Sequence, residues 1–430
     1  MSRVALELWA SLTAIAATPS PAVALDPAST TVAPFLLAQG GEGGEADAMP
    51  SSYRLLSTDP TAFAYDGRPT AQNYADLVHA SYARATDGAR RVQAAIDALL
   101  DKPSKDTLAA ARAAWVAARP AYLVTEAYRF YDGPIDLTYP DAQPGPEPRI
   151  NAWPLNEAFI DYVKGQPKGG LVGDTSVPLS AESILSRDQV EDEADVTTGW
   201  HAIEFLLWGQ DFSETGPGDR PASDYAKGSP TNERRRTYLA TVTKQLVDDL
   251  AGLTAQWAPG ADNYRKHFLA MDAREALGRA LNGMANLAGH ELATERLSVA
   301  LDSGDQEDEH SCFSDTTHQD HVFDLRGVRN AWYGSLGDTP SPDSLRALVH
   351  KIDPKLADET DAVFARATSA ADAMEAPFDQ KILRAAAGSP GRQRAEAAIT
   401  AFQDLASQLV RVGRRLGILV IVPGLGTGIG

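Results

Sequence analysis

The chain has 430 residues, 43% of them hydrophobic, which is enough for two or three domains with well-buried cores and too apolar for a disordered chain. Its formal net charge of −19 argues against electrostatic attachment to nucleic acid or anionic lipid and favours cationic partners, metal ions among them. The single cysteine, Cys312, excludes an internal disulfide and any Cys-rich zinc or iron–sulfur centre, so a metal would rest on oxygen and nitrogen ligands.

Residues 1–24 read as an export signal. Arg3 gives a minimal basic start, Leu8 to Ala17 an apolar core, and Ala22-Val23-Ala24 a small-residue cleavage pattern. No cysteine follows to carry a bacterial lipid anchor, so a periplasmic location is expected. Residues 25–70 read as a flexible arm, with Gly40-Gly41-Glu42-Gly43-Gly44 in its middle. From there, abundant alanine, scarce alternation and apolar residues at three- and four-residue intervals predict an all-α fold. Helices are expected over 72–100 and 104–129, the second capped by Ser104 and kinked at Pro120. Residues 132–154 are rich in Pro and Gly, and such a long irregular stretch is often part of a site. Short helices over 153–162 and 180–190 flank a break at 165–178.

An acidic run, 191–195, leads into Thr197 and Thr198, either of which can cap a helix that Gly209 is placed to end. On that helix His201, Glu204, Phe205 and Trp208 share one stripe, while Trp200, Ile203, Leu206 and Leu207 cover most of the rest. A helix apolar nearly all round is buried, so an imidazole and a carboxylate face the same way inside the protein. A buried carboxylate costs several kcal/mol unless it is paired, so Glu204 needs a partner elsewhere in the chain.

A further helix is expected over 232–257, and 259–262 marks a candidate domain boundary. A long helix over 271–301 carries Gly278, Gly283 and Gly289, each costly in a helix and so suggestive of close contact with a neighbour. A polar loop, 302–315, runs into a dense cluster over 309–321 that holds His310, His318 and His321. Helical patterns then cover 323–333, 341–350, 354–374 and 391–418. The apolar tail from Leu416 to Val422 is far short of the roughly 20 residues a bilayer requires and is expected to end the last helix. Two packed helical bundles, 71–259 and 260–424, accommodate this order, with a functional site near their interface.

Three segments concentrate polar residues among aromatics: Arg119 to Asp136 with Glu126 and Arg129, the pair His201 and Glu204, and residues 309–321. Oxygen and imidazole ligands drawn from separate helices are how bundles build metal sites. The same residues also suit a local hydrogen-bonded pair at 201 and 204, an ion pair between Glu126 and Arg129, and a solvated acidic turn around the histidines. Cys312 reads as a small buried hydrophobe.

The segment Gly199-Trp200-His201-Ala202-Ile203-Glu204 closely resembles the Gly-x-His-x-x-Glu signature of the imelysin family, also described as iron-regulated protein A-like or M75-type peptidases. Thr125-Glu126-Ala127-Tyr128-Arg129-Phe130, Gly133-Pro134-Ile135-Asp136 and Ser311-Cys312-Phe313-Ser314-Asp315-Thr316-Thr317-His318 resemble flanking family blocks. The resemblance implies two helical bundles, export, a role in iron acquisition and a site where the bundles meet. It implies a metal ion, iron first, or a metal-bearing ligand held by His201, Glu204, Glu126, Asp315 and His318, with Arg129 orienting a carboxylate behind them. The M75 label implies the alternative of a zinc metallopeptidase, which needs about three ligands, an open water position and a separate base. Only one histidine lies on the helix, so that base would come from Glu126 or Asp315. Expected partners are the ligand and periplasmic or membrane components of iron uptake, such as an oxidase or permease, with no nucleic acid and no transmembrane span.

Overall fold

The computed structural model describes residues 54–57, 63–213 and 215–425, all within one compact unit. The expected signal and most of the arm lie outside the described residues. The fold is all-α, as the periodicity requires. Helix α1 (Arg68–Asp101) starts with a proline in its first turn and buries Tyr74, Val78, Tyr82, Ala85, Ala89, Val92 and Ile96, one continuous stripe at helical spacing. Helix α2 (Lys105–Leu123) opens on a reciprocal cap in which Ser104 Oγ accepts from Thr107 N at 3.2 Å and Thr107 Oγ1 accepts from Ser104 N at 3.0 Å. It stops at Leu123 rather than near residue 129. A 3₁₀ turn, Glu126–Tyr128, follows, and Phe130 and Asp132 at φ +67° and +59° swing the chain away from any helical path.

The Pro- and Gly-rich stretch is irregular as expected. It carries the single turn α3 (Pro148–Asn151), and the single turns α4 (Glu157–Ile160), α5 (Gly170–Gly173) and α6 (Ala181–Leu185) follow it, so the longer helices expected over 153–162 and 180–190 are each cut to about one turn. Helix α7 (Gly199–Trp208) is buried along its whole length and wedges between α2 and α8 (Pro230–Gln256), with α1 completing the group.

After α9 (Tyr264–Ala270) comes a long helical run in three parts. It begins as α10 (Ala273–Asn286), widens to π-helix over Leu287–Ser298, and closes as α11 (Val299–Ser303). A Cβ on Gly283 would lie 2.6 Å from the Ala127 carbonyl oxygen and 2.8 Å from that of Arg129, so only glycine lets α10 pass the 3₁₀ turn at this distance. Helix α12 (Thr317–Tyr333) packs on α2, on that 3₁₀ turn and on α14 (Pro354–Asp372), and thereby joins the two halves of the sequence. Helix α13 (Leu345–Ile352) packs on α14, and α15 (Pro390–Arg415) lies across α10, the π-helical stretch and α14.

The apolar tail does not extend α15. Its Ile418–Leu419 forms strand β2, paired antiparallel with β1 (Arg54–Leu55), because Gly417 at φ +74° breaks the helix and backbone groups of residues 54–56 stand ready to pair. Among the described residues no helix is long and apolar enough to cross a membrane.

Candidate functional site

Helix α7 is positioned by its first residue. Gly199 has φ +86°, and a Cβ there would lie 2.4 Å from the Ile150 carbonyl oxygen of α3. Any larger residue would push the signature helix off its neighbour. Thr198 is the N-cap residue, yet its hydroxyl donates to the Arg149 carbonyl at 2.9 Å instead of capping, and Thr197 Oγ1 donates to Asp188 at 2.8 Å. Both threonines thus fasten the helix to the preceding loops.

Glu204 finds its partners on the far side of the sequence. Its Oε1 accepts from the backbone N–H of Ser314 at 2.9 Å and from the Ser314 hydroxyl at 2.6 Å, while Oε2 lies 2.9 Å from His201 Nδ1. Both side chains are fully buried. Burial pushes the Glu204 carboxyl up to about 8 and, reinforced by His310 and Arg119, holds His201 well below the usual imidazole range. The pair is therefore a neutral imidazole hydrogen-bonded to a carboxyl group rather than an ion pair.

The same arrangement occurs a second time next to it. His310 Nδ1 lies 2.7 Å from Asp320 Oδ2, and that oxygen also accepts from the Ser311 hydroxyl at 2.6 Å. Burial, with help from Arg296 and Arg119, likewise keeps His310 neutral. The two imidazole rings stand 4.6 Å apart, inclined at 71°. Each histidine thus has its Nδ1 held by an acid that a serine hydroxyl steadies. The buried Nε2 of His201 has no hydrogen-bond partner among the described residues, and that of His310 meets only Asn151 Nδ2 at 3.5 Å. Trp153 lies 4.9 Å from the His201 ring and Phe313 packs against Trp153, so aromatic walls close the junction.

Arg119 serves this junction from α2. It is buried, its guanidinium lies 5.4 Å from the Trp115 ring centre and 5.6 Å from those of Tyr122 and Trp200, and Nη1 donates to Asn151 Oδ1 at 2.6 Å. Its Nη2 lies 3.5 Å from Asp320 Oδ1. A second network adjoins through α12, where Asp324 sits one turn from Asp320. Arg296 donates to Asp324 Oδ2 at 2.6 Å and to Glu126 Oε2 at 2.9 Å, and Glu126 also takes Arg129 at 2.6 Å. Burial pushes the Glu126 carboxyl upward, but Arg129 and Arg296 more than offset this and hold it at about 2.

The residues singled out in the sequence therefore fall in three places. His201 and Glu204 form the junction with Ser314, from the third polar segment. Glu126 and Arg129 belong to the adjoining ionic network and hydrogen-bond one another there. Asp315 and His318 make the third group: the carboxyl of Asp315 is pushed up to about 7 by burial and then by Asp211 and Asp379, and the electrostatic neighbour of half-buried His318 is Asp320, the acid that holds His310. Among the described residues no three His, Cys, Asp or Glu side chains lie where they could together hold a metal ion. Arg119, Asn151, Ser314, Asp320 and Arg296 are the site residues that sequence reasoning did not single out. Arg119 bounded the first polar segment, and Asp320 with Asp324 at helical spacing on α12 was the one readable sign of an acidic face turned inward. Cys312 is buried as expected, and burial pushes its thiol well above the usual range.

A solved structure described as that of a candidate iron-regulated protein A precursor from Parabacteroides distasonis has the same fold. Its TM-score is 0.65 at 20% identity, covering 84% of this chain and 98% of that one. Iron-regulated protein A of Synechococcus elongatus is 25% identical over 345 residues, which cover 78% of this chain and 83% of that protein. The family model for imelysin, peptidase M75, matches residues 78–409, and the chain belongs to the imelysin family.

Proposed function

We propose that this protein is an exported, iron-responsive binding protein whose buried junction takes up a metal ion carried in a small ligand, with iron as the metal. The observation that carries the reading is the doubled unit of imidazole, acid and serine. A histidine that ligates a metal characteristically has its other ring nitrogen held by a carboxylate or carbonyl, and here two neighbouring histidines are held in this way. Imidazole and carboxylate donors suit iron. Two imidazoles do not complete a coordination sphere, so the donor set fits a metal that arrives with ligands of its own better than a bare ion. His201 and His310 would meet it, while Glu204, Asp320, Ser314 and Ser311 fix the ring orientations. Arg119 would supply positive charge toward an anionic chelate. Export is supported by the pattern of residues 1–24, and the iron connection by the relative named above. Handing the ligand on to other iron-uptake components, such as an oxidase or permease, fits the same role.

Purified protein is loaded with ferric citrate or ferrous iron, desalted and analysed for metal. The wild type should retain iron stoichiometrically and His201→Ala with Glu204→Ala should lose it while keeping its helical circular dichroism. Undiminished retention by that folded double variant would sink the proposal.

The peptidase reading finds less support. A zinc peptidase needs about three protein ligands besides its base, and among the described residues no three His, Cys, Asp or Glu side chains lie where they could together hold a metal ion. Cleavage of a peptide library that chelators abolish and that Glu204→Gln eliminates would reverse this preference.

A further inference from the structure

We propose that the cavity of about 750 Å³ at the C-terminal end of α7 binds a small planar aromatic acid, a carboxylate or sulfonate carried on a ring system, at a site separate from the His201 junction. The cavity lies between the turn 162–167 and the chain that leaves α7 at Gly209, and its size falls in the range of roughly 300–1,000 Å³ usual for small-molecule sites. His201 and Trp208 stand seven residues apart on the helix, so the two places are separated by about 10 Å along its axis.

Its walls are built before any ligand arrives. Trp208 is buried against Trp115 with ring centres 5.4 Å apart, and Tyr162 is fixed by its hydroxyl, which donates to Asp224 Oδ2 at 2.7 Å. The 217–221 segment lies flush on the end of α7. Arg220 N–H donates to the Trp208 carbonyl at 2.7 Å, Gly218 N–H donates to the Phe313 carbonyl at 3.0 Å, and a Cβ on Gly218 would lie 2.8 Å from the Trp208 carbonyl oxygen. Arg112 clamps the same corner from α2, with Nε donating to the Leu207 carbonyl at 3.0 Å and Nη2 to the Arg220 carbonyl at 2.8 Å. A third aromatic, Phe212, stands on the rim at 64% exposure, where a stacked ring would cover it.

The charges around the cavity are unevenly satisfied. Asp211 Oδ1 accepts from the Ser213 N–H at 2.9 Å and its Oδ2 from Gln306 at 2.7 Å, and Asp219 faces Arg112 at 3.6 Å. The ammonium of Lys164, by contrast, has no ion pair or hydrogen bond among the described residues and stands 5.1 Å from the Phe212 ring centre. Arg220, also on the wall, is buried 4.7 Å from the Tyr162 ring centre; its Nη1 donates to Asp161 at 2.7 Å, while its Nε has no acceptor. The acids are thus already engaged and the open donors are cationic, so the cavity complements an anion, and its aromatic faces complement a flat ring attached to that anion. An aliphatic acid would leave Phe212 unmatched, and an uncharged ring would leave Lys164 unmatched.

Full-length protein at neutral pH is titrated with anilinonaphthalene sulfonate and, separately, with phenylnaphthylamine, the same ring system without the acid, and the fluorescence of each probe is read. One sulfonate probe per chain should bind saturably and more tightly than the amine. Lys164→Met should weaken the sulfonate by about tenfold, the scale of one hydrogen bond to a charged group, and leave the amine unchanged. Phe212→Ala should weaken both probes and His201→Ala neither, which separates this site from the iron reading. Lys164 and Phe212 are exposed, so both variants keep the fold, which circular dichroism verifies. Absence of saturable binding, a sulfonate affinity indifferent to both Lys164→Met and Phe212→Ala, or tighter binding of the amine by the wild type overturns the proposal.

Discussion

Glu204→Gln tests the electrostatics of the junction directly. The amide keeps the shape: its oxygen can accept from Ser314 as Oε1 does, and its NH₂ can donate to His201 Nδ1. What it removes is the titration. The Glu204 carboxyl lies at about 8 in the folded protein against an ordinary value of 4.5, because it is fully buried. A raised carboxyl pKa means that the folded state binds the extra proton. The stabilisation is therefore complete below about pH 4.5 and is lost as the pH climbs through 8. At about 1.4 kcal/mol per unit, that loss amounts to roughly 5 kcal/mol over the full interval. The glutamine variant has no such loss, so its stability relative to wild type should improve steadily with pH. Urea unfolding at half-unit steps from about pH 5 to pH 8 gives the two curves. The other histidines contribute equally to both proteins and cancel, and burial, the main cause that keeps His201 neutral, is common to both. Parallel curves would refute the reasoning, because they would mean that Glu204 titrates alike in the folded and unfolded chains.

Gly283→Ala should destabilise by about 1–3 kcal/mol, since the new methyl group meets two backbone oxygens that cannot move aside. Its control is Gly252→Ala, at an exposed position near the C-terminal end of α8, where a Cβ meets nothing within 4 Å; that change should stabilise by about 0.5–1 kcal/mol, and both are read by thermal unfolding. Arg296→Met should cost about 3–5 kcal/mol in denaturant unfolding, because Glu126, Glu291 and Asp324 lose a shared counter-charge while buried or nearly so. Ser104→Ala removes one half of the cap on α2 and should lower stability by about 1 kcal/mol with the junction unaffected. An undiminished unfolding midpoint in that variant would mean that the cap contributes nothing to the fold.

The signature helix was readable in detail because several independent rules agree on it. It is apolar on nearly every face, a glycine stands at each end, and it holds a carboxylate that cannot be buried alone. Its depth, its limits and the existence of a distant partner for Glu204 all follow from local chemistry. The identity of that partner does not. Ser314 reaches Glu204 only because α12 docks on α2 and carries the 309–316 loop over α7, a long-range arrangement with no periodic trace in the sequence. Arg119 was hidden for a related reason. Within α2 it looks like any arginine among aromatics, and only the approach of Trp200 and Asn151 makes it a buried cation facing the site. The pairing of His310 with Asp320 lay inside a segment equally consistent with a solvated acidic turn, because ten residues of loop and helix must fold back before the two meet. The tail was misjudged on length. Seven apolar residues look like a helix end, but two of them gain more by pairing with the arm at residues 54–55.

The central claim is that iron is held beside the paired imidazoles. Crystals of the iron-loaded protein, measured on both sides of the iron absorption edge, test it most directly. An anomalous peak is expected within bonding distance of His201 Nε2 and near His310, absent from crystals of His201→Ala prepared in the same way. An iron peak found only away from the two imidazoles, or one unchanged by the loss of His201, would contradict it.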